Sequence, residues 1–109
     1  MSVRLLHQKV KDESVEEAEA AVRDMFATLD RMRPEGIRYA STRVADSSTF
    51  VAVLELVDGS EDRLTAIPEF RRFVEQLEDL RDGPPVIEEL EVVGSYNLFG
   101  AEREESSVR

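Results

Sequence analysis

The chain has 109 residues, no cysteine, 24 acidic side chains against 14 basic ones, and a formal net charge of −10. That length makes one domain, and the missing thiols exclude disulfides, thiolate metal sites and a cysteine nucleophile. The acidic balance argues against nucleic acid or an anionic membrane surface, both of which are gripped by surplus Lys and Arg.

The first strand is expected over residues 3–10. Val3, Leu5, His7 and Lys9 alternate with Arg4, Leu6, Gln8 and Val10, so both faces are mixed and neither is plainly the inner one. A helix follows over residues 15–32. Ser14 and Glu17 have the spacing of a capping box, in which hydroxyl and carboxylate each satisfy a free backbone N–H. Val15, Ala18, Val22, Met25, Leu29 and Met32 recur at steps of three and four, which makes one apolar stripe. Arg31 and Arg33 suit the negative end of the helix dipole, and Pro34 with Gly36 stops it.

Two strands, 37–44 and 49–56, form a hairpin around Ala45-Asp46-Ser47-Ser48. With Val44 opposite Thr49, Tyr39 faces Leu54, Ser41 faces Ala52, Arg43 faces Phe50 and Arg38 faces Glu55, an opposite-charge pair across strands. The second of these strands is apolar on nearly both faces, the mark of a strand covered on two sides. A second helical region spans residues 64–80. It breaks at Ile67-Pro68, because proline disfavours helical geometry just before it and suits the first position of a new helix. Phe70, Phe73, Val74, Leu77 and Leu80 form the next stripe. A last apolar run extends from Val86 to Phe99 with a kink expected at Gly94, about twice an ordinary strand.

This β-α-β-β-α-β order predicts a ferredoxin-like α+β domain over residues 1–99, with an antiparallel sheet and two helical regions on one face. Residues 100–109 are expected to be a disordered acidic tail. The other face would carry either Phe50, Ala52, Leu54, Leu56, Ile37 and Tyr39 or Val51, Val53, Ala40 and Val44. Such a patch is rarely left in water. Two-fold pairing of sheet with sheet is the simplest cover, with residues 95–99 added to the partner's sheet edge. No stretch is apolar enough to span a bilayer. The first residues lack the pattern of a signal peptide, so the cytoplasm is the expected location.

The strand Phe50-Val51-Ala52-Val53-Leu54 ending near Asp58, the break Leu64-Thr65-Ala66-Ile67-Pro68-Glu69-Phe70 and the close Val92-Val93-Gly94-Ser95-Tyr96 carry a family likeness. Through them the chain resembles the dimeric α+β barrel superfamily, and most closely its antibiotic-biosynthesis-monooxygenase-like group. The resemblance implies a homodimer whose two sheets form a barrel. It also implies a small aromatic or polyketide-like ligand inside, and for some members oxygenation without metal, flavin or other cofactor. Haem-degrading relatives use Asn, Trp and His. Here those positions fall near Leu6, at Leu64 and at Val74, so haem degradation is not expected.

His7 is the single histidine, and a barrel-facing imidazole could act as general base on a phenol or hydroquinone. A strand-end imidazole in a polar gap is the plainer account of it. Tyr39 and Tyr96 could hydrogen-bond a quinone-like ligand, though aromatic packing with a polar tip explains each. Arg43 or Arg38 could bind a ligand anion; the Glu55 pairing explains Arg38. Glu88, Glu89 and Glu91 fit an edge strand protected by charge. No metal-ligand spacing, phosphate loop or nucleophile–base pair is present.

The reading that follows is a monooxygenase-like small-molecule protein that oxidises a small aromatic or quinol inside a dimeric barrel. The alternative is a non-catalytic dimeric barrel that binds a small ligand or serves as an assembly module. A third reading is a regulatory domain that binds an amino acid at a dimer interface.

Overall fold

A computed structural model of the chain describes residues 1–98. It contains β1 (Ser2–Lys9), α1 (Val15–Met32), β2 (Ile37–Arg43), β3 (Thr49–Leu56), α2 (Ser60–Thr65), α3 (Pro68–Leu80) and β4 (Val86–Leu90). The four strands form one antiparallel sheet in the order β2-β3-β1-β4. This is the ferredoxin-like arrangement: each β-α-β unit is split by a strand of the other. The expected disordered tail, residues 100–109, lies outside the described residues, as does Phe99.

The hairpin register is the one its residues dictate. Tyr39 pairs with Leu54, Ser41 with Ala52, Arg43 with Phe50 and Arg38 with Glu55. The Val44 amide donates to Thr49 O at 2.9 Å, and the Ser47 hydroxyl holds the turn by donating to Val44 O at 2.8 Å. Asp46 takes the left-handed turn position at φ 59°, where Asp is among the better tolerated residues.

Register and burial together settle which face is inside. Phe50, Ala52, Leu54 and Leu56 of β3 are buried. Phe50 joins Ala18, Ala21 and Met25 of α1 and Phe73, Leu77 and Leu80 of α3 in one core cluster, while Leu54 and Leu56 join Leu64 and Ile67 in another. The side chains of Arg4, Leu6, Gln8, Ile37, Tyr39, Ser41 and Arg43 share that helix-facing side by alternation. His7, Leu5, Val51, Val53, Ala40 and Arg38 are therefore on the open side.

Three details depart from the sequence reading. The capping box does not form: a single 3-10 turn, Asp12–Ser14, precedes α1, and Ser14 sits at φ −106°, ψ 5° with no side-chain cap bond. A capping hydroxyl needs extended geometry to reach the third helical N–H, and the preceding turn removes it. The buried face of α1 is centred on Ala18, Ala21, Met25 and Thr28, with Met32 49% exposed. A row read at 3.5 residues per turn drifts off the true face of a 3.6-residue helix. Thr28 is tolerated inside because its hydroxyl donates to Asp24 O.

The third departure concerns the long C-terminal run. β4 stops at Leu90, and residues 91–98 belong to no helix or strand of the chain. Val93 and Tyr96 are almost fully exposed. Asn97 and Leu98, however, border one groove together with Ala40 and Val53 of the open face. Part of that face is thus covered by the chain's own end, where the sequence offered no cover but a second copy.

The break between α2 and α3 follows proline chemistry. Ile67 is extended (φ −81°, ψ 116°), Pro68 opens α3, and Arg71 Nη1 donates to Thr65 O at 2.6 Å across the break. Arg4 ties the other end of α2 to the sheet. Its guanidinium meets Glu61 at 3.0 Å and Glu89 of β4 at 3.6 Å.

Candidate functional site

The helix layer and the sheet do not close along the outer strand. β2 presents Ile37, Tyr39, Ser41 and Arg43 toward α1, and three hollows line up in that seam. The first is a groove of about 390 Å³ bordered by Phe26, Leu29, Asp30, Arg33, Ile37 and Tyr39. A smaller, more enclosed cavity of about 20 Å³ lies in the middle, with Tyr39 and Ser41 in its wall. The third, about 200 Å³, is bordered by Glu19, Val22, Arg23, Ser41, Arg43 and Phe50. From Tyr39 to Arg43 the strand advances about 13 Å at ~3.3 Å per residue. Ser41 is the reason for the gap: a hydroxymethyl group sits where a large side chain would be needed to reach α1.

Tyr39 is the centre of this seam. Its ring lies 5.0 Å from the Phe26 ring, tilted by 48°, within the separation at which aromatic rings attract. Burial pushes its phenol up to about 12, because the phenolate would lose its hydration. At neutral pH Tyr39 is therefore a neutral hydrogen-bond donor, unsuited to act as a base. Arg43, at the far end, is already engaged. Its Nε donates to Glu19 Oε2 at 2.8 Å and its Nη1 to Ser47 O at 2.9 Å. Arg33 borders the first groove from a left-handed backbone position (φ 49°) that ends α1.

The four residues singled out from sequence fall in three places. Tyr39 and Arg43 share the seam. His7 is half-buried on the opposite side of the sheet, flanked by Val51 and Val86. Tyr96 is 87% exposed in the segment after β4. One sheet thus separates the imidazole from both seam residues within a single chain.

The open face has its own groove, about 370 Å³, bordered by Arg38, Ala40, Val53, Glu55, Asn97 and Leu98. Glu55 is only 3% exposed there, directly across from Arg38. Among the described residues no group of three or more His, Asp and Glu side chains is placed to hold a metal ion. None of the described helices is long and apolar enough to cross a membrane.

The sequence reading passed over Gln8, Ser41 and Phe26. A signal for two of them was available: Ser41 and Gln8 fall on the same face as Leu54 and Leu6, so each interrupts an apolar inward row.

No protein-family model matches this chain, and no curated protein does. Solved structures do match. One is an antibiotic biosynthesis monooxygenase, 17% identical, with a TM-score of 0.71 over 86% of this chain and 100% of the other. A candidate antibiotic biosynthesis monooxygenase from Nitrosomonas europaea is 16% identical, with a TM-score of 0.73 over 86% and 100%. Another, from Caulobacter crescentus CB15, is 20% identical, with a TM-score of 0.73 over 85% and 90%. At these identities the likeness establishes the fold.

Proposed function

We propose that this chain, which has the fold of the antibiotic-biosynthesis-monooxygenase-like proteins, holds a flat, oxygen-bearing aromatic molecule in the seam between α1 and β2. The observation that carries this reading is the seam itself: a run of hollows about 13 Å long in which Phe26, Leu29, Ile37 and Phe50 stand beside Asp30, Arg33 and Arg43, around the half-buried, neutral Tyr39 donor. Ligand sites are typically apolar hollows with a few convergent polar groups. The names of the matching structures support oxidation of the bound molecule. For an anthrone-like ring methylene and dioxygen, the two hydrogens leave as water with one oxygen atom, and the other becomes the ring carbonyl. No metal or flavin is required by that balance. The protein's contribution is placement and hydrogen bonding.

The working unit in this proposal is a homodimer paired through the open face, where Leu5, Ala40, Val51 and Val53 form an apolar row. His7 would then lie between the two sheets and serve only a ligand held there. That separation from Tyr39 favours a second reading, a non-catalytic binding protein. Oxygen uptake with a panel of hydroquinones and anthrones distinguishes them. Turnover lost in Tyr39→Phe and kept in His7→Ala supports the seam enzyme, and turnover lost only in His7→Ala moves the chemistry between the sheets. Reversible binding without uptake leaves the non-catalytic protein.

A further inference from the structure

The sheet has two open edges: among the described strands β2 bonds only to β3, and β4 only to β1. In an antiparallel pair, successive residues turn their backbone groups alternately toward the neighbour and away from it. The Val44 amide bonds to Thr49 O and the Val57 amide to Gly36 O. The even-numbered residues of β2 therefore face β3, and Ile37, Tyr39, Ser41 and Arg43 turn N–H and C=O to the open edge. The Val10 amide bonds to Ser48 O, which directs the even residues of β1 to β3. Its odd residues Val3, Leu5 and His7 then bond to Leu90, Glu88 and Val86, and Ile87 and Glu89 turn their backbone groups outward. The edges differ in charge: β4 carries Glu88 and Glu89, whereas β2 carries Arg38 and Arg43. Charge discourages an edge from pairing with its own kind. Yet β4 also shows Val86 and Ile87, both more than half exposed, which an edge meant only to be shielded does not need.

We infer that the β2 edge receives β4 of a second copy, and that the partner's Ile87 thereby walls the seam beside Tyr39. β2 and β4 run in opposite directions, so joining these edges continues one antiparallel sheet. Few registers keep both the side-chain faces and the outward backbone groups in step. One of them sets Ile87 opposite Tyr39, where both outward N–H and C=O groups are exchanged. It also sets Val86 opposite Ala40, and Glu88 opposite Arg38 on the open side of the sheet. Opposite charges facing across strands stabilise the pair, and like charges oppose it. Joining like edges would instead gather Glu with Glu or Arg with Arg. Ile87 and Tyr39 share the helix side of their strands, where the groove beside Phe26, Leu29 and Ile37 runs along the outer strand. An isoleucine next to Tyr39 lengthens that apolar wall. Two such contacts close a two-fold pair, so the inference rests on the homodimer proposed above, and the role of Ile87 rests also on the seam holding the ligand.

The chain has no cysteine, so disulfide trapping reads this contact directly. In the register above, Val86 and Ala40 of the two copies form a pair with Cα atoms ~4.5 Å apart, within disulfide reach. Inside one chain they lie three strand spacings apart, roughly 14 Å, and stacked sheets stand ~10 Å apart. Neither an internal link nor face-to-face contact can imitate the result. Oxidation of the double variant Val86→Cys, Ala40→Cys at micromolar concentration should give a covalent dimer whose mapped link joins residue 86 to residue 40, and neither single variant should link. Should the double variant fail to fold, Glu88→Lys gives the second reading: it should weaken the dimer about tenfold by sedimentation, because two charge pairs are reversed. Ile87→Ala should weaken 2-naphthol binding about fivefold by fluorescence titration with the dimer intact. Links of 86 to 86 or 40 to 40 overturn the inference, as does a Glu88→Lys dimer as tight as wild type. A dimer that never links 86 to 40 overturns it while open-face pairing stands, and a wild-type monomer overturns both. Unchanged 2-naphthol affinity in Ile87→Ala removes the role of Ile87. If wild type does not bind 2-naphthol, the seam reading fails and the link from 86 to 40 still decides the edge contact.

Discussion

Replacing Gly36 by alanine should be among the most damaging single-methyl changes in this chain. Gly36 has φ +81°, and an added Cβ would lie 3.0 Å from Ser60 Cβ, 3.1 Å from Arg63 Nη1 and 3.3 Å from Val57 Cβ. The arginine tip can swing aside; the two Cβ atoms are fixed to backbone. Left-handed geometry costs a side-chain-bearing residue ~1–2 kcal/mol, and forcing a methylene into packed space ~1–3 kcal/mol. Lower entropy of the unfolded chain returns ~0.4–1 kcal/mol. The net is a loss of about 1–4.5 kcal/mol, or a fall in Tm on the order of 5–20 °C for a domain this size. Gly59 is the internal control, because φ is +84° but nothing lies within 4 Å of its added Cβ. Gly59→Ala should cost only the conformational part, about 1 kcal/mol. Urea melts of both variants, with unchanged m-values, make the comparison. If Gly36→Ala is no worse than Gly59→Ala, the close approach of this turn to α2 is not what fixes β2. The point bears on function because Val57 N–H donates to Gly36 O at 2.9 Å and Arg63 to Glu35 O at 3.0 Å. These bonds set where β2, and with it Tyr39, enters the seam.

Other outcomes follow from the same contacts. Tyr39 is protonated up to about 12 in the folded chain and to ~10 when unfolded. The native state therefore binds more protons between those values, and stability falls as pH rises through that window, by about 2–3 kcal/mol. Tyr39→Phe should flatten this alkaline limb, read by urea melts from pH 9 to 12. The Glu61 carboxyl is held below the usual carboxylate range by its hydrogen bond to Arg4. Its contribution is present above that range and lost as pH falls, so Glu61→Gln should flatten the acid limb. The exposed pair should also make the wild-type advantage vanish in 1 M salt. Val53→Asp places a charge in the open face; sedimentation at micromolar concentration should show a dimer for wild type and a folded monomer for the variant.

How much of this was legible in the sequence depends on the length scale. Helix and strand positions follow from local patterning, and Pro34, Pro68 and Gly83 punctuate them with little ambiguity. The hairpin register followed from one assumption about its turn, because alternation then fixes every cross-strand pair. The face of the sheet left open was not legible: β3 is apolar on both sides, and only the packing of α1 and α3 on Phe50 and Leu54 decides it. The end of the last strand was legible only in part: apolar content carries it to residue 93, whereas β4 stops at Leu90, and the pattern assigns residues 95–99 to a partner's edge rather than to this sheet. The seam was half visible. Tyr39 and Arg43 were chosen for their chemistry, whereas the gap between them comes from Ser41 being small, a property of tertiary fit that no local pattern reports.

The central claim is that the ligand lies between α1 and β2 rather than on the open side of the sheet. Titrating isotope-labelled protein with 2-naphthol and following backbone amide resonances tests it most directly. The seam account predicts that the largest shifts map to Phe26, Tyr39, Ser41 and Arg43. Shifts concentrated instead at His7, Val51 and Val53, with the seam amides unmoved, would contradict it.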